Sequence, residues 1–231
     1  MTMQIAIAAT DGLVLASDTQ HRVTEWGMVN PGAFTPDTPV HSSKISISSR
    51  HNAAIALAGW SDLDASAGDL LAKHFDTLPP LKDQEIDNVL QLWADDCYSK
   101  SRLAGAPTRG ALLTLLVARP ISRFPIIKVL VNYNSVLRFG KSGYMVGGHE
   151  NNAAVFWPEY LGLNREPRSV EESTAIAAVT ILSAGEINPH GIGGLEIWQC
   201  RDSWQEVPPE QIKALTERFD LLKRGITKAI R

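Results

Sequence analysis

Cysteine is scarce in this chain: only Cys97 and Cys200 occur in 231 residues, far apart and outside any CxxC pair. That excludes a disulfide framework or a zinc ribbon and fits a reducing compartment. Long apolar runs are lacking too, and none approaches the ~18 to 20 residues that span a bilayer. The opening Met1-Thr2-Met3-Gln4 has neither a positive flank nor an apolar signal core, so a cytoplasmic location is expected. There is no excess of one charge, with 22 Lys and Arg against 25 Asp and Glu and a net charge of -3. Neither nucleic acid nor an anionic membrane is therefore expected as a partner. The six histidines form no HExxH or paired metal spacing, so no metal site is expected. Gly191-Ile192-Gly193-Gly194 follows Asn-Pro-His and lacks the Lys-Ser/Thr of a phosphate loop, and reads as a turn. What is present is ordinary for a soluble globular protein: 44% apolar and 20% charged residues. The length suits one large domain with a sizeable core.

Residues 3–20 read as a hairpin around Asp11-Gly12, and 21–43, rich in Pro, Gly, Thr and Ser, as a long loop. Short strands are expected at 44–48 and 53–58. A helix capped by Ser61 or Asp62 should run to Leu78, where Pro79-Pro80 stops it. A second helix over 83–103 carries Ile86, Val89, Leu90 and Trp93 at helical spacing. Strands follow at 110–118, 125–132 and 135–139, then a glycine-rich stretch from Gly143 to Gly148. A third helix is expected over 170–184 and a closing strand at Leu195-Glu196-Ile197-Trp198. Pro208-Pro209 opens a charged amphipathic helix that runs to the C-terminus. Strands come in runs rather than alternating with helices, which predicts an α+β fold. One domain over 1–231 is expected, with a helical extension at about 205–231.

Two registers of the first hairpin compete. A two-residue loop at Asp11-Gly12 pairs Thr10 with Leu13 and mixes large and polar side chains on each face. A three-residue loop, Thr10-Asp11-Gly12, pairs Ala9 with Leu13, Ile7 with Leu15 and Gln4 with Asp18. It gathers Met3, Ile5, Ile7, Ala9, Leu13 and Leu15 on one face, and Thr2, Gln4, Ala6, Ala8, Val14, Ala16, Asp18 and Gln20 on the other. The hydrophobic pattern favours this second register. It makes Thr2 and Asp18 diagonal neighbours, roughly 7 to 8 Å apart, a gap that a lysine from a third strand can bridge.

Thr2 follows the initiator methionine, and small second residues generally permit its removal. Removal exposes an α-amine of pKa about 7.7 to 8.0, close to what a general base needs at neutral pH. Amine and hydroxyl on one residue are then positioned covalently for nucleophilic catalysis. Taken alone, Thr2 is simply an acceptable second residue.

The segment Thr2-Met3-Gln4-Ile5-Ala6-Ile7-Ala8-Ala9-Thr10-Asp11-Gly12-Leu13-Val14-Leu15-Ala16-Ser17-Asp18-Thr19 resembles the start of a mature proteasome β-type subunit. Ser43-Lys44-Ile45 resembles the family's lysine before an apolar strand. Ile55-Ala56-Leu57-Ala58-Gly59 with Asp62 resembles its strand–glycine–helix turn, and Val146-Gly147-Gly148 and Ala184-Gly185-Glu186 are similar to two later motifs. The resemblance covers roughly residues 2 to 198. Within the family it points first to a bacterial proteasome homologue, with the HslV and Anbu types as competitors.

The resemblance implies an N-terminal nucleophile hydrolase with an αββα four-layer sandwich, two facing sheets between helical layers. It implies Thr2 as nucleophile with its amine as base. Lys44 is then the ammonium that lowers the proton affinity of the hydroxyl, and Asp18 the carboxylate that holds the lysine. Gly59 is the implied oxyanion donor, an N–H at the positive end of a helix dipole, and Glu186 the residue near the amine. His21, Leu57 and Ser61 fall at substrate-binding positions. No cofactor is implied. The implied substrate is a peptide or unfolded protein, the implied assembly a stacked homo-oligomeric ring, either a double heptamer or rings of six. A separate ATP-driven unfoldase is a partner the resemblance allows. Three departures stand out: Gly147-Gly148-His149 lacks the family's serine, which Ser142 replaces only if the loop folds differently; Glu186 replaces an aspartate; and the loop from Asp18 to Lys44 is longer than usual. They keep two other readings open, a non-catalytic ring scaffold and an amidase acting on small molecules.

Overall fold

The computed structural model describes residues 2–22, 39–58, 61–103, 114–130, 135–139, 143–148 and 152–230. The N-terminal segment alternates small and branched apolar residues and forms strands β1 (Met3–Ala9) and β2 (Gly12–Ser17). Short strands β3 (Gln20–Arg22) and β4 (Pro39–His41) pair with each other, and lie at the two ends of the segment read as a loop. Strands β5 (Ile45–Ser48) and β6 (Ala53–Ala58) come next, then helices α1 (Ser61–Thr77) and α2 (Asp83–Leu103). Strands β7 (Thr114–Ala118), β8 (Ile126–Leu130), β9 (Ser135–Phe139) and β10 (Gly143–Gly148) follow. Helices α3 (Asn152–Tyr160) and α4 (Val170–Ile187), strands β11 (Glu196–Cys200) and β12 (Trp204–Glu206), and helix α5 (Pro209–Ile230) complete the chain.

Two five-stranded antiparallel sheets result, ordered β10-β1-β2-β11-β12 and β5-β6-β7-β8-β9. They face each other across a layer built by Ala6, Ala8, Leu13 and Leu15 from the first and Ala54, Ala56, Leu116 and Ile126 from the second. Helices α3, α4 and α5 cover the outer face of the first sheet, over Met3, Ile5, Ile7, Val14 and Ala16. Helices α1 and α2 cover the second, over Ile55, Leu57, Val117 and Val129. This is the α+β four-layer arrangement expected from the sequence. Among the described residues no helix is long and apolar enough to cross a membrane.

The first hairpin adopts neither of the two expected registers. Ile7 stands opposite Val14, Ala8 opposite Leu13 and Ala9 opposite Gly12, leaving Thr10-Asp11 as the turn. That is one residue away from the favoured three-residue loop, and one residue is enough to turn β2 over. Leu13 and Leu15 therefore enter the layer between the sheets, while Val14 and Ala16 lie under α4. The physical reason is that both faces are buried. Separating large from small residues selects a register only where one face meets water. Here the neighbours decide. A Cβ on Gly12 would lie 2.1 Å from the Cys200 carbonyl oxygen, and the Asp11 carboxylate accepts the Val170 N–H at the start of α4, at 2.8 Å.

Other differences have local causes. The glycine-rich stretch Gly143–Gly148 is strand β10: Tyr144, Met145 and Val146 pair along β1, and the absence of a Cβ on Gly148 lets it lie against the backbone of Thr2 with Met3 opposite. Helix α3 was hidden by Pro158 inside it, which removes one N–H donor and argues against a helix in sequence. Helix α4 extends three residues beyond its expected end. It begins with a capping box in which Ser169 accepts the Glu172 N–H and Glu172 accepts the Ser169 N–H.

Candidate active site

Thr2 heads β1 and is half-buried. Its hydroxyl oxygen accepts a hydrogen bond from Lys44 Nζ at 3.1 Å. The same ammonium donates to Asp18 Oδ2 at 2.9 Å and to the Gln20 carbonyl at 2.6 Å. An ammonium has three N–H donors, and these three acceptors surround it. The Lys44 side chain is 4% exposed and that of Asp18 is fully buried. Four separate elements meet here: the start of β1, the end of β2, the start of β3 and the turn entering β5.

Asp18 leaves the ladder just after β2, and there its other oxygen, Oδ1, accepts the Met3 N–H at 2.8 Å. Its own N–H donates to the Met3 carbonyl at 3.1 Å. These bonds bring its carboxylate to Lys44 in spite of the changed register. Burial pushes the Asp18 carboxyl above its ordinary value, while the Lys44 ammonium and the N–H groups of Met3 and Gly193 pull the other way.

Lys44 is itself anchored through its backbone. Its N–H donates to Glu196 Oε2 at 3.0 Å, and the neighbouring Ser43 hydroxyl donates to Glu196 Oε1 at 2.6 Å. Glu196 lies at the start of β11, is 6% exposed, and also accepts the Trp198 indole N–H at 2.9 Å. Sequence reading placed Glu196 in a closing strand without weighing its charge. The available signal was a lone acid in the otherwise apolar run Leu195-Glu196-Ile197-Trp198.

Gly148 approaches Thr2 from β10 with φ +79°. A Cβ there would lie 2.1 Å from the Thr2 carbonyl oxygen and 3.1 Å from Ala58 Cβ. The serine absent from this motif thus has no room at position 148: the backbone of the first residue of the site occupies the space.

Glu186 is not brought to Thr2. The buried residues of α4, from Val170 to Ala184, face the sheet, and Glu186 lies off that face, 2.6 Å from Lys223 of α5 and half exposed. Leu57 is buried on the α1 side of β6, among Leu71 and Phe75. His21 lies in β3 and Ser61 begins α1. Gly59, Ser142 and His149 lie outside the described residues. Among the described residues no group of acids, histidines and cysteines is arranged to hold a metal ion.

No protein-family model matches the chain, and no curated protein matches it in sequence. Solved structures do. Anbu, described as an ancestral beta-subunit, from Yersinia bercovieri superposes with a TM-score of 0.72 at 12% identity, over 99% of this chain and 96% of that one. A Gly-1 mutant of Anbu from Hyphomicrobium sp. strain MC1 gives 0.70 at 12% identity, over 99% and 97%. A further Anbu structure from the same strain gives 0.67 over 98% and 97%. Of the three types weighed in the sequence, these structures are of the Anbu type. The chain shares the α+β fold of these Anbu structures, with two antiparallel five-stranded sheets and flanking helices.

Proposed function

We propose that the chain is a self-compartmentalised threonine endopeptidase. The observation that carries this reading is the Thr2 hydroxyl held 3.1 Å from a buried ammonium that is itself fixed by Asp18. After Met1 removal, the Thr2 amine takes the hydroxyl proton as the oxygen attacks a peptide carbonyl. The Lys44 ammonium stabilises the negative charge that develops on the attacking oxygen. Collapse of the tetrahedral intermediate breaks the C–N bond, and the protonated amine passes its proton to the leaving group. Water, deprotonated by the same amine, then attacks the ester carbonyl; collapse breaks the bond to the Thr2 oxygen, the amine returns the proton to that oxygen, and the acid product leaves. Lys44 is not the base in this scheme, because its three donors are held by three acceptors. Gly59, at the junction of β6 and α1, is the proposed oxyanion donor, and Leu57 with His21 and Ser61 the proposed substrate contacts.

The substrates proposed are short peptides or unfolded chains, admitted to sites enclosed by stacked rings of this chain. A ring is supported by an apolar groove between α3, α4 and α5, about 370 Å³ in volume and lined by Phe156, Trp157, Phe219, Leu222 and Ile226. An ATP-driven unfoldase is proposed as the feeding partner, and the cytoplasm as the compartment. Fluorogenic peptides test the catalytic assignment: a Thr2→Ala variant should lose cleavage, and parental cleavage by that variant overturns it. A second reading, a non-catalytic ring scaffold, is favoured by Gly148 in place of serine and by Glu186 turning to Lys223. Intact mass separates the two, since a retained Met1 blocks the amine.

A further inference from the structure

We propose that Glu196 is a positioning residue for Lys44, holding the backbone from which the ammonium reaches Thr2; this rests on the peptidase reading above. A lysine stem is long and rotatable, so placing its Nζ at 3.1 Å from a hydroxyl requires both ends to be fixed. Asp18 and the Gln20 carbonyl fix the far end. The near end is in the stretch 42–44 between β4 and β5, where the Ser42 N–H still reaches the Thr19 carbonyl at 3.0 Å but Ser43 and Lys44 lie outside the ladders. Glu196 supplies what the ladder does not. Its Oε2 takes the Lys44 N–H at 3.0 Å and its Oε1 takes the Ser43 hydroxyl at 2.6 Å. The hydroxyl has one proton, and its short contact to a carboxylate marks where that proton goes. The Ser43 oxygen is then free to accept the Ile45 N–H at 3.3 Å, which carries the anchor into the first residue of β5.

The carboxylate is held in turn. The Trp198 indole N–H donates to Oε1 at 2.9 Å, two residues along the same strand and on the same side. Glu196 stands opposite Ser17 in the ladder of β11 with β2, one residue before Asp18. The strand ends that carry the anchor and the counter-ion are therefore adjacent, so both ends of the lysine are referred to one rigid sheet. A buried carboxylate without a cation is expensive unless hydrogen-bonded, and three neutral donors provide those bonds here. A merely structural acid has no need to meet the backbone of the residue that carries the ammonium.

Native-state acetylation of the full chain with an amine-reactive acetate ester, mapped by peptide mass spectrometry, tests this together with peptide kinetics. Glu196→Gln has one acceptor oxygen and an amide nitrogen that cannot accept, so one side of the anchor is lost. Lys44 should acetylate about tenfold faster than in the parent, the effect of one charge-assisted bond. The exposed Lys213 should react equally in both. The kcat for a fluorogenic peptide should fall by about a hundredfold while KM stays within about twofold, the mark of an interaction made in the transition state. If Glu196→Gln does not fold, Ser43→Ala takes its place, with Ser43→Thr expected to restore protection. Lys44 as protected in these variants as in the parent overturns the proposal. A parent that cleaves nothing overturns the peptidase reading instead, and Lys44 protection still decides the anchor.

Discussion

Lys44 and Asp18 form a buried pair whose worth lies in what happens when one partner is removed. Lys44→Met leaves the Asp18 carboxylate buried without its cation, and a loss of about 3 to 5 kcal/mol is expected. The double variant Lys44→Met/Asp18→Asn removes both charges and should recover most of that loss. Urea denaturation of the three variants checks the cycle; both Lys44→Met proteins should be inactive. The same pair sets a pH dependence. Asp18 is held above its ordinary value by burial, so the native state takes up this proton at a higher pH than the unfolded chain does. Through that window, falling pH favours the native state as far as Asp18 is concerned. Activity should fall first as falling pH protonates the Thr2 amine and removes the base. It should vanish as Asp18 protonates and releases the ammonium, while circular dichroism still reports the folded protein. Unfolding that precedes the loss of activity contradicts this order. The triad of Thr2, Asp18 and Lys44 was legible in the sequence through the resemblance of the segments around these residues to the start of a proteasome β-type subunit, although the stretch from Asp18 to Lys44 is longer than usual there. Glu196 was not, because an anchor acts on backbone and leaves no spacing rule.

At the scale of elements, the contact between β1 and β10 is the sharpest constraint. Gly148→Ser, which restores the serine missing from the motif, forces a Cβ to within 2.1 Å of the Thr2 carbonyl oxygen at φ +79°. A destabilisation of about 1 to 3 kcal/mol is expected from overpacking and left-handed backbone together, with peptide cleavage falling rather than rising. Thermal melting and fluorogenic kinetics check it, and a serine variant of parental stability and higher activity contradicts the account. The hairpin register shows where sequence reading stops. Alternation identified β1 and β2 as strands, because Met3, Ile5 and Ile7 repeat with period two. It did not identify their register, since Leu13 and Leu15 are as well buried between the sheets as Val14 and Ala16 are under α4. The information lay instead in distant partners, Cys200 beside Gly12 and Val170 beside Asp11. Helix α2 was legible to the residue because acidic residues open it and the apolar positions Ile86 and Leu90 keep helical spacing. Strand β10 was not, because glycines signal turns more often than the close approach of two backbones.

For the whole molecule, runs of strands interrupted by paired helices were sufficient to predict an α+β fold, and the four-layer sandwich came from the family resemblance. The outer side is less complete. Phe156, Tyr160, Ile187 and Leu222 lie exposed along α3, α4 and α5. Ring assembly through this face predicts a multi-subunit particle in light scattering, and Phe156→Glu should yield smaller species with unchanged circular dichroism. A monomeric parent contradicts it. Sequence periodicity gave no warning of this face, since α3 was concealed by Pro158. The central claim is that the residue after Met1 becomes a nucleophile beside a buried lysine. The most direct measurement is intact and peptide mass spectrometry after exposure to an epoxyketone or β-lactone. The account predicts loss of Met1 and one covalent adduct on Thr2, abolished in Lys44→Met. A retained Met1, or an unmodified Thr2 in the folded parent protein, contradicts it.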